Sequence, residues 1–329
     1  MTIILDAMGS DDRPDPEVQA AVTASNAFKE DIVLVGDEAV LQEKLAEIPG
    51  EKGRVRIVHA PEALDMEDHI EEARRKKQNS MSVGMDLVKA GEGDAFVTAG
   101  NTGMAMYYGI KSFGNIKGVI RPCLCALFPV RNGHAVVLDI GANAECRPEF
   151  LVQFAIMGQV YAQSLLGIEN PKIGLLSNGE EEGKGSDLVR DTYPLLKDSG
   201  LNFIGNVEGK ELFNGLVDVV VTDGFTGNVV LKSTEAVAKL IVDILKEELM
   251  GSFRTKMGGL LAKPAFNKIK QMLDPAEIGA APLMGIDALV YVGHGRSDAR
   301  AMVSAIKSAK QAVDNQLLPN LRSAITTRL

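Results

Sequence analysis

A chain of 329 residues that is 46% hydrophobic can bury a large core, as one big α/β domain or as two smaller ones. Its formal charge of -9 excludes a general nucleic-acid binder, which needs an excess of Lys and Arg on the binding face. No stretch of about 18 uninterrupted apolar residues is present, which excludes a hydrophobic membrane-crossing helix.

From the first residues onward, short β-branched runs alternate with longer stretches of helical period. In chain order the runs are "TIILDA", "DIVLVG", "RVRIVHA", "DAFVTAG", "AVVLDIG", "KIGLLSNG", "LNFIGN", "VDVVVTDG" and "ALVYVGHG". Nearly continuous Val/Ile/Leu strands are buried on both faces, so they predict a mostly parallel sheet covered by helices. Helices are signalled between them; "PEFLVQFAIMGQVYAQSLLG" begins with Pro148 in its first turn and ends near Gly167. No Ser/Gly/Pro-rich linker and no internal repeat divides the chain, which predicts a single domain over 1–329. Asp6 directly after "TIIL" interrupts any signal-peptide pattern, so the expected location is the cytoplasm.

Most of these strands end in polar, glycine-bearing turns: "DAMGSD" (6–11), "TAGNTG" (98–103), "DIGANAE" (139–145), "SNGEEEGKG" (177–185), "TDGFTGN" (222–228) and "GHGRSD" (293–298). In an open parallel sheet the ligand crevice lies beyond the carboxyl ends of the strands, which predicts one cleft built from all six turns. Glycines let backbone N–H groups approach an anion, and a following helix N-terminus favours negative charge. The fourth turn comes close to a phosphate-binding P-loop without being one. Only Glu180, Glu181 and Glu182 separate Gly179 from Gly183, and Lys184 is followed by Gly185 where the P-loop has Ser or Thr.

Other chemistries lack their signatures. No G-x-G-x-x-G follows a strand, the four histidines show no H-x-x-x-H spacing, and there is no G-x-S-x-G elbow. Three cysteines, Cys123, Cys125 and Cys146, lack C-x-x-C spacing and read as free thiols in a core. What remains is an inventory of backbone donors, asparagines, carboxylates and Lys184, suited to binding an anion and orienting it as a nucleophile.

The blocks "LDAMGSDDRP", "VTAGNTG", "RPCLCALFP", "LDIGANAECRPEFLVQFAIMG", "GLLSNGEEEGKG", "DVVVTDGFTGNVVLK" and "GHGRSDARAM" together resemble the PlsX family of acyl-carrier-protein:phosphate acyltransferases. The resemblance runs from the first strand to the last helix. It departs at the first turn, where the family has "DAMGGDHAP" and this chain has Ser10 and "DDR", and at "GHGRS" for "AHGSS". It implies a Rossmann-like three-layer α/β/α sandwich similar to that of phosphotransacetylases, with a protruding helical hairpin, in a homodimer. The implied reaction converts a long-chain acyl thioester on acyl carrier protein (ACP) and inorganic phosphate to acyl phosphate for phospholipid synthesis, with no cofactor and no metal.

On this reading Lys184 neutralises charge on phosphate or on the oxyanion, unless it simply answers the three adjacent glutamates. Asn228 donates an amide N–H to the same oxygens, unless it caps the helix that follows. Asp6 and Asp139, at strand ends, orient the lysine or the loops, or equally cap their turns. Asn101, Thr102 and Asn143, with the backbone at Gly9, Gly103, Gly183 and Gly227, complete an anion cradle. The thiolate leaving group, with a pKa of about 8.5, requires little general-acid help.

Two basic stretches stand out from the acidic whole. Residues 250–273 place Leu260, Leu261, Phe266 and Ile269 at helical spacing with cations between, and Gly258, Gly259 and Pro264 predict a split into two short helices. Such an element lies on anionic membrane surfaces as a peripheral anchor, or packs as a hairpin at a dimer interface. The run "ARRKKQNSM" (73–81) offers Arg74 and Arg75 for docking the acidic ACP, or is a solvated face balanced by Glu67, Asp68, Glu71 and Glu72. Three rival readings are a phosphotransacetylase-like enzyme using coenzyme A thioesters, a dehydrogenase of the isopropylmalate type, and a non-catalytic membrane scaffold for lipid enzymes.

Overall fold

The computed structural model describes residues 1–131 and 133–328. Its first half alternates β1 (Thr2–Asp6), α1 (Asp15–Phe28), β2 (Asp31–Gly36), α2 (Glu38–Glu47), β3 (Val55–His59), α3 (Ile70–Arg75), α4 (Ser80–Lys89), β4 (Ala95–Thr98) and α5 (Thr102–Phe113). There follow β5 (Cys123–Val130), β6 (Gly133–Leu138), α6 (Pro148–Leu166), β7 (Ile173–Leu176), α7 (Asp187–Lys197), β8 (Phe203–Val207), α8 (Gly209–Asn214) and β9 (Val219–Val221). Two long helices, α9 (Gly224–Met250) and α10 (Phe253–Leu273), precede β10 (Ala280–Met284), β11 (Val290–Gly293), α11 (Ala299–Asp314) and α12 (Leu317–Arg328).

The strands form one eleven-stranded sheet in the order β3-β2-β1-β4-β11-β10-β5-β6-β9-β7-β8. Alternate residues feed opposite layers: Ile3 and Leu5 join one buried cluster with α1, α6 and α11, while Ile4 joins a second with α4 and α5. This two-sided burial is why the strands read as unbroken apolar runs, and it gives the three-layer α/β/α sandwich.

All nine runs read from the sequence are strands, but two further strands, β5 and β10, change the topology. β10 pairs antiparallel with both β11 and β5, and β5 pairs antiparallel with β6. The parallel block β3-β2-β1-β4-β11 and the parallel block β6-β9-β7-β8 therefore run in opposite directions. The six turns leave the sheet as two sets of three, at opposite strand ends, rather than as one set.

The predicted break at Pro264 is absent: α10 continues through it to Leu273. The turn that Pro264 interrupts, around Leu260 and Leu261, is exposed, so water can satisfy the carbonyl that loses its N–H partner. Leu249 of α9 packs 3.3 Å from where a Cβ on Gly259 would stand, so Gly259 permits the close approach of the two helices instead of ending one, while Gly258 faces open space.

Candidate active site

The turns after β6, β9 and β7 are neighbours, because those strands are adjacent in the sheet. Asp139 organises the first of them. Its Oδ1 accepts N–H bonds from Leu124 (3.0 Å), Gly141 (3.2 Å) and Ala142 (3.0 Å), and its Oδ2 accepts from the backbone N (2.7 Å) and Nδ2 (2.9 Å) of Asn143. Burial pushes the Asp139 carboxyl up, and these N–H donors oppose that rise. With its lone pairs committed to the turn, Asp139 shapes the loop rather than meeting a substrate. Asn143 is likewise held, its Nδ2 also donating to Pro122 O (2.8 Å).

The start of α9 sits directly on this turn. Gly224 N donates to Asn143 O (2.8 Å); a Cβ on Gly224 would lie 2.8 Å from Asp139 Oδ2, and one on Gly227 would overlap the Asp139 carbonyl oxygen. Both glycines in "DGFTGN" are thus required by close approach. Asp223 caps α9, accepting from Thr226 N (2.8 Å) and Thr226 Oγ1 (2.7 Å). Asn228 is therefore not the capping residue. It lies in the first turns of the helix, exposed, with its amide beside Gly141, and among the described residues its side chain makes no hydrogen bond.

The third turn presents Lys184. Its stem packs over Gly179, where a Cβ would stand 2.9 Å from Lys184 Cγ. No ion pair holds its ammonium among the described residues: Glu180 pairs with Lys210 (2.8 Å) and Glu182 with Lys197 (3.4 Å), while the Glu181 carboxylate lies over Gly179 beside the lysine stem without a partner. Gly183 is exposed, and a Cβ there would meet nothing within 4 Å, so no close approach within the chain explains it.

The turns after β1, β4 and β11 form the other set. Asp6, buried, accepts from Met8 N (3.0 Å) and Thr98 Oγ1 (2.7 Å), and Thr98 Oγ1 accepts from Gly100 N (2.9 Å). Gly9 fits between them, since a Cβ there would lie 2.8 Å from Gly100 N. Asn101 caps α5 through Met104 N (3.1 Å) and donates Nδ2 to Met66 O (2.8 Å), and Thr102 and Gly103 form the first turn of that helix. Asp11 N donates to Gly295 O (2.8 Å), joining the "GHGRSD" turn. A cavity of about 670 Å³ opens here, lined by Ser10, Arg13, Met66, His69 and five carboxylates of the 11–72 loops. Among the described residues no hydrogen bond crosses from this set to the Asp139–Lys184 set.

Sequence reading passed over two buried groups. Glu17 of α1 is fully buried; its Oε1 accepts from Ser10 N (3.1 Å) while Oε2 and the Ser10 hydroxyl have no partner, and burial pushes its carboxyl up to about 7. Asn206 of β8 donates Nδ2 to Glu181 O (2.9 Å) in the lysine loop. An Asn closing the "LNFIGN" run beside a parallel neighbour was the available signal for the second. For Glu17 there was none.

The basic run 73–81 is partly neutralised. Arg75 pairs with Glu72 and Lys76 with Asp68 (2.8 Å), while Arg74 is exposed. Cys123 and Cys125 are buried and Cys146 is half-buried, all free.

The family model described as "Fatty acid synthesis protein" matches residues 1–319. Proteins called phosphate acyltransferase from Elusimicrobium minutum and Pelotomaculum thermopropionicum are 46% and 45% identical, each covering 99% of this chain and 96% and 95% of theirs. One from Clostridioides difficile is 40% identical, covering 99% of this chain and 96% of its own. Among solved structures, a phosphotransacetylase from Streptococcus pyogenes is similar in fold, with a TM-score of 0.63, 17% identity and coverage of 95% and 94%. A branched-chain phosphotransacylase from Enterococcus faecalis V583 gives a TM-score of 0.60 at 14% identity, over 95% of this chain and 99% of that one. With a family match over nearly its whole length and relatives at this identity, the chain belongs to the PlsX family and is an acyltransferase enzyme of the phosphate acyltransferase type.

Proposed function

We propose that the enzyme transfers a long-chain acyl group from ACP to inorganic phosphate, releasing acyl phosphate for phospholipid synthesis. A phosphate oxygen attacks the thioester carbonyl, the C–O bond forms, the C–S bond breaks, and the sulfur leaves with the electron pair as a thiolate. Lys184 steers the phosphate dianion and offsets charge on the tetrahedral oxyanion, and the Asn228 amide donates to the same oxygens. Asp139 and Asn143 act by holding the turn on which α9 and Asn228 stand. Asp6, Gly9, Asn101, Thr102 and Gly103 shape the second set of turns, at the N-terminus of α5.

The observation that carries this reading is the Lys184 ammonium, exposed and outside any ion pair among the described residues, with Glu180 and Glu182 engaged by other lysines and Glu181 alone beside its stem. Arg74 assists ACP docking, a role confined to charge steering because Arg75 and Lys76 already have carboxylate partners.

The α9–α10 hairpin supports peripheral membrane binding by a homodimer. On α9, Val237, Leu240, Ile241, Ile244 and Leu245 form one exposed apolar face, suited to a second copy of the chain. On α10, Leu260, Leu261 and Ile269 are exposed between cations, suited to anionic lipid, whereas Phe266 is half-buried.

The test is phosphate-dependent thiol release from palmitoyl-ACP, palmitoyl-CoA and acetyl-CoA. Turnover of the ACP substrate supports the proposal. Turnover with acetyl-CoA alone would reassign the enzyme to coenzyme A thioesters, and no turnover would leave a scaffold.

A further inference from the structure

Among the described residues, three side chains hydrogen-bond the backbone of the lysine loop, 177–185. Asn178 Oδ1 accepts from Gly185 N (3.0 Å) and Arg190 Nη1 donates to Gly185 O (2.7 Å), both at the far end of the loop. Lys210 and Lys197 reach its middle only through the Glu180 and Glu182 side chains, and among the described residues the Asn206 side chain alone bonds the backbone there. Its Nδ2 donates to Glu181 O (2.9 Å), and the same carbonyl accepts the Lys184 N–H (3.0 Å). One oxygen thus joins the turn that projects Lys184 to a residue fixed in the sheet, where Asn206 sits opposite Leu175.

The placement is costly for stability alone. Asn206 is buried, and its Oδ1 has no partner among the described residues; the Ser177 hydroxyl at the start of the loop is also buried and unpartnered. A branched apolar side chain would suit a strand of this sheet better. Reversing the amide would set Oδ1 against the Glu181 carbonyl oxygen, so the donor assignment follows from the contact itself.

We infer that Asn206 is a positioning residue for phosphate: through Glu181 O it fixes where the Lys184 ammonium stands. This rests on the reading of Lys184 as the phosphate-binding group. Asn206 touches no substrate; its effect passes entirely through the loop.

The test compares Asn206→Leu, which removes the donor, and Asn206→Asp, which keeps the shape but cannot donate. In both, KM for phosphate is expected to rise about tenfold, while KM for the acyl thioester changes by less than about twofold. Acetic anhydride labelling of Lys184, read by mass spectrometry, provides a measure that needs no turnover. Inorganic phosphate is expected to protect Lys184 in the wild type and to lose that protection in both variants. Unchanged phosphate KM and protection in the variants, beside a Lys184→Ala enzyme that is impaired, would overturn the role of Asn206 and leave the lysine reading standing. A Lys184→Ala enzyme with wild-type kinetics would remove the lysine reading and this inference with it. A uniform loss across all substrates with a lowered melting temperature would mark Asn206 as structural only.

Discussion

Lys210 Nζ lies 2.8 Å from Glu180 Oε1 and also pairs with Glu208 and Glu211. This lysine of α8 draws Glu180 toward α8, which has a consequence for the other lysine nearby. Removing it frees the Glu180 carboxylate, four residues from Lys184. Lys210→Ala is expected to raise KM for phosphate about threefold without affecting the acyl substrate, and the rise is expected to shrink at high salt, where exposed charges are screened. Lys184→Ala is expected to lower kcat/KM by roughly 10²-fold to 10³-fold, the usual loss on deleting one oxyanion donor. Steady-state kinetics with varied phosphate check both.

Gly227 and Gly183 test how much of the site is set by backbone contact. A Cβ at Gly227 would overlap the Asp139 carbonyl, whereas one at Gly183 meets nothing within 4 Å. Gly227→Ala is therefore expected to destabilise the fold by about 2 kcal/mol or more and to displace Asn228, because backbone must move on one side or the other. Gly183→Ala is expected to leave the melting temperature unchanged. Calorimetry and activity on the pair read out the contrast.

Glu17 makes stability depend on pH in the direction opposite to an ion-paired carboxylate. Its folded-state pKa is raised to about 7, above the usual glutamate value, because the group is fully buried. The contribution is fully present below the unfolded value and is lost as pH rises toward and through the folded one. Glu17→Gln, which mimics the neutral acid, is expected to match the wild type near pH 4 and to exceed it by roughly 3 kcal/mol at pH 8. Urea melts at the two pH values decide it.

The fold was legible where burial is two-sided. Strands such as β2 and β9 carry their signal in unbroken Val/Ile/Leu runs. β5 and β10 do not: Pro129 stands in the first, and "AAPLM" in the second is short and carries Pro282, so neither scores as a central strand. Missing them hid the reversal of strand direction, and so six turns read as one cleft. The glycines of "DGFTGN" read as an approach to an anion, but what requires them is the packing of α9 on the Asp139 turn, and the cap that the sequence offered to Asn228 belongs to Asp223. The commitments of Asp139, Asn143 and Asn101 to their own turns were not, because they depend on which N–H groups the fold brings within reach. Asn206 carries only the mark of an Asn closing an apolar run; its bond to a loop that ends another strand is hidden for the same reason.

On the proposed function, the hairpin separates two roles that share one composition. Leu261 is 81% exposed on α10, whereas Ile244 belongs to the apolar face of α9. Placing a charge at an exposed apolar position costs the folded monomer little, because water already reaches the side chain. It costs far more where that side chain enters lipid or another protein surface. Leu261→Glu is therefore expected to abolish sedimentation with anionic liposomes while leaving the oligomeric state intact. Ile244→Glu is expected to shift the protein to monomer in sedimentation equilibrium. Phe266→Glu, half-buried against the hairpin, is expected to lose liposome binding with a lowered melting temperature, since it loses packing as well. If Leu261→Glu sedimented with liposomes like the wild type, α10 would be no membrane surface, and its exposed leucines would belong to the same interface as α9.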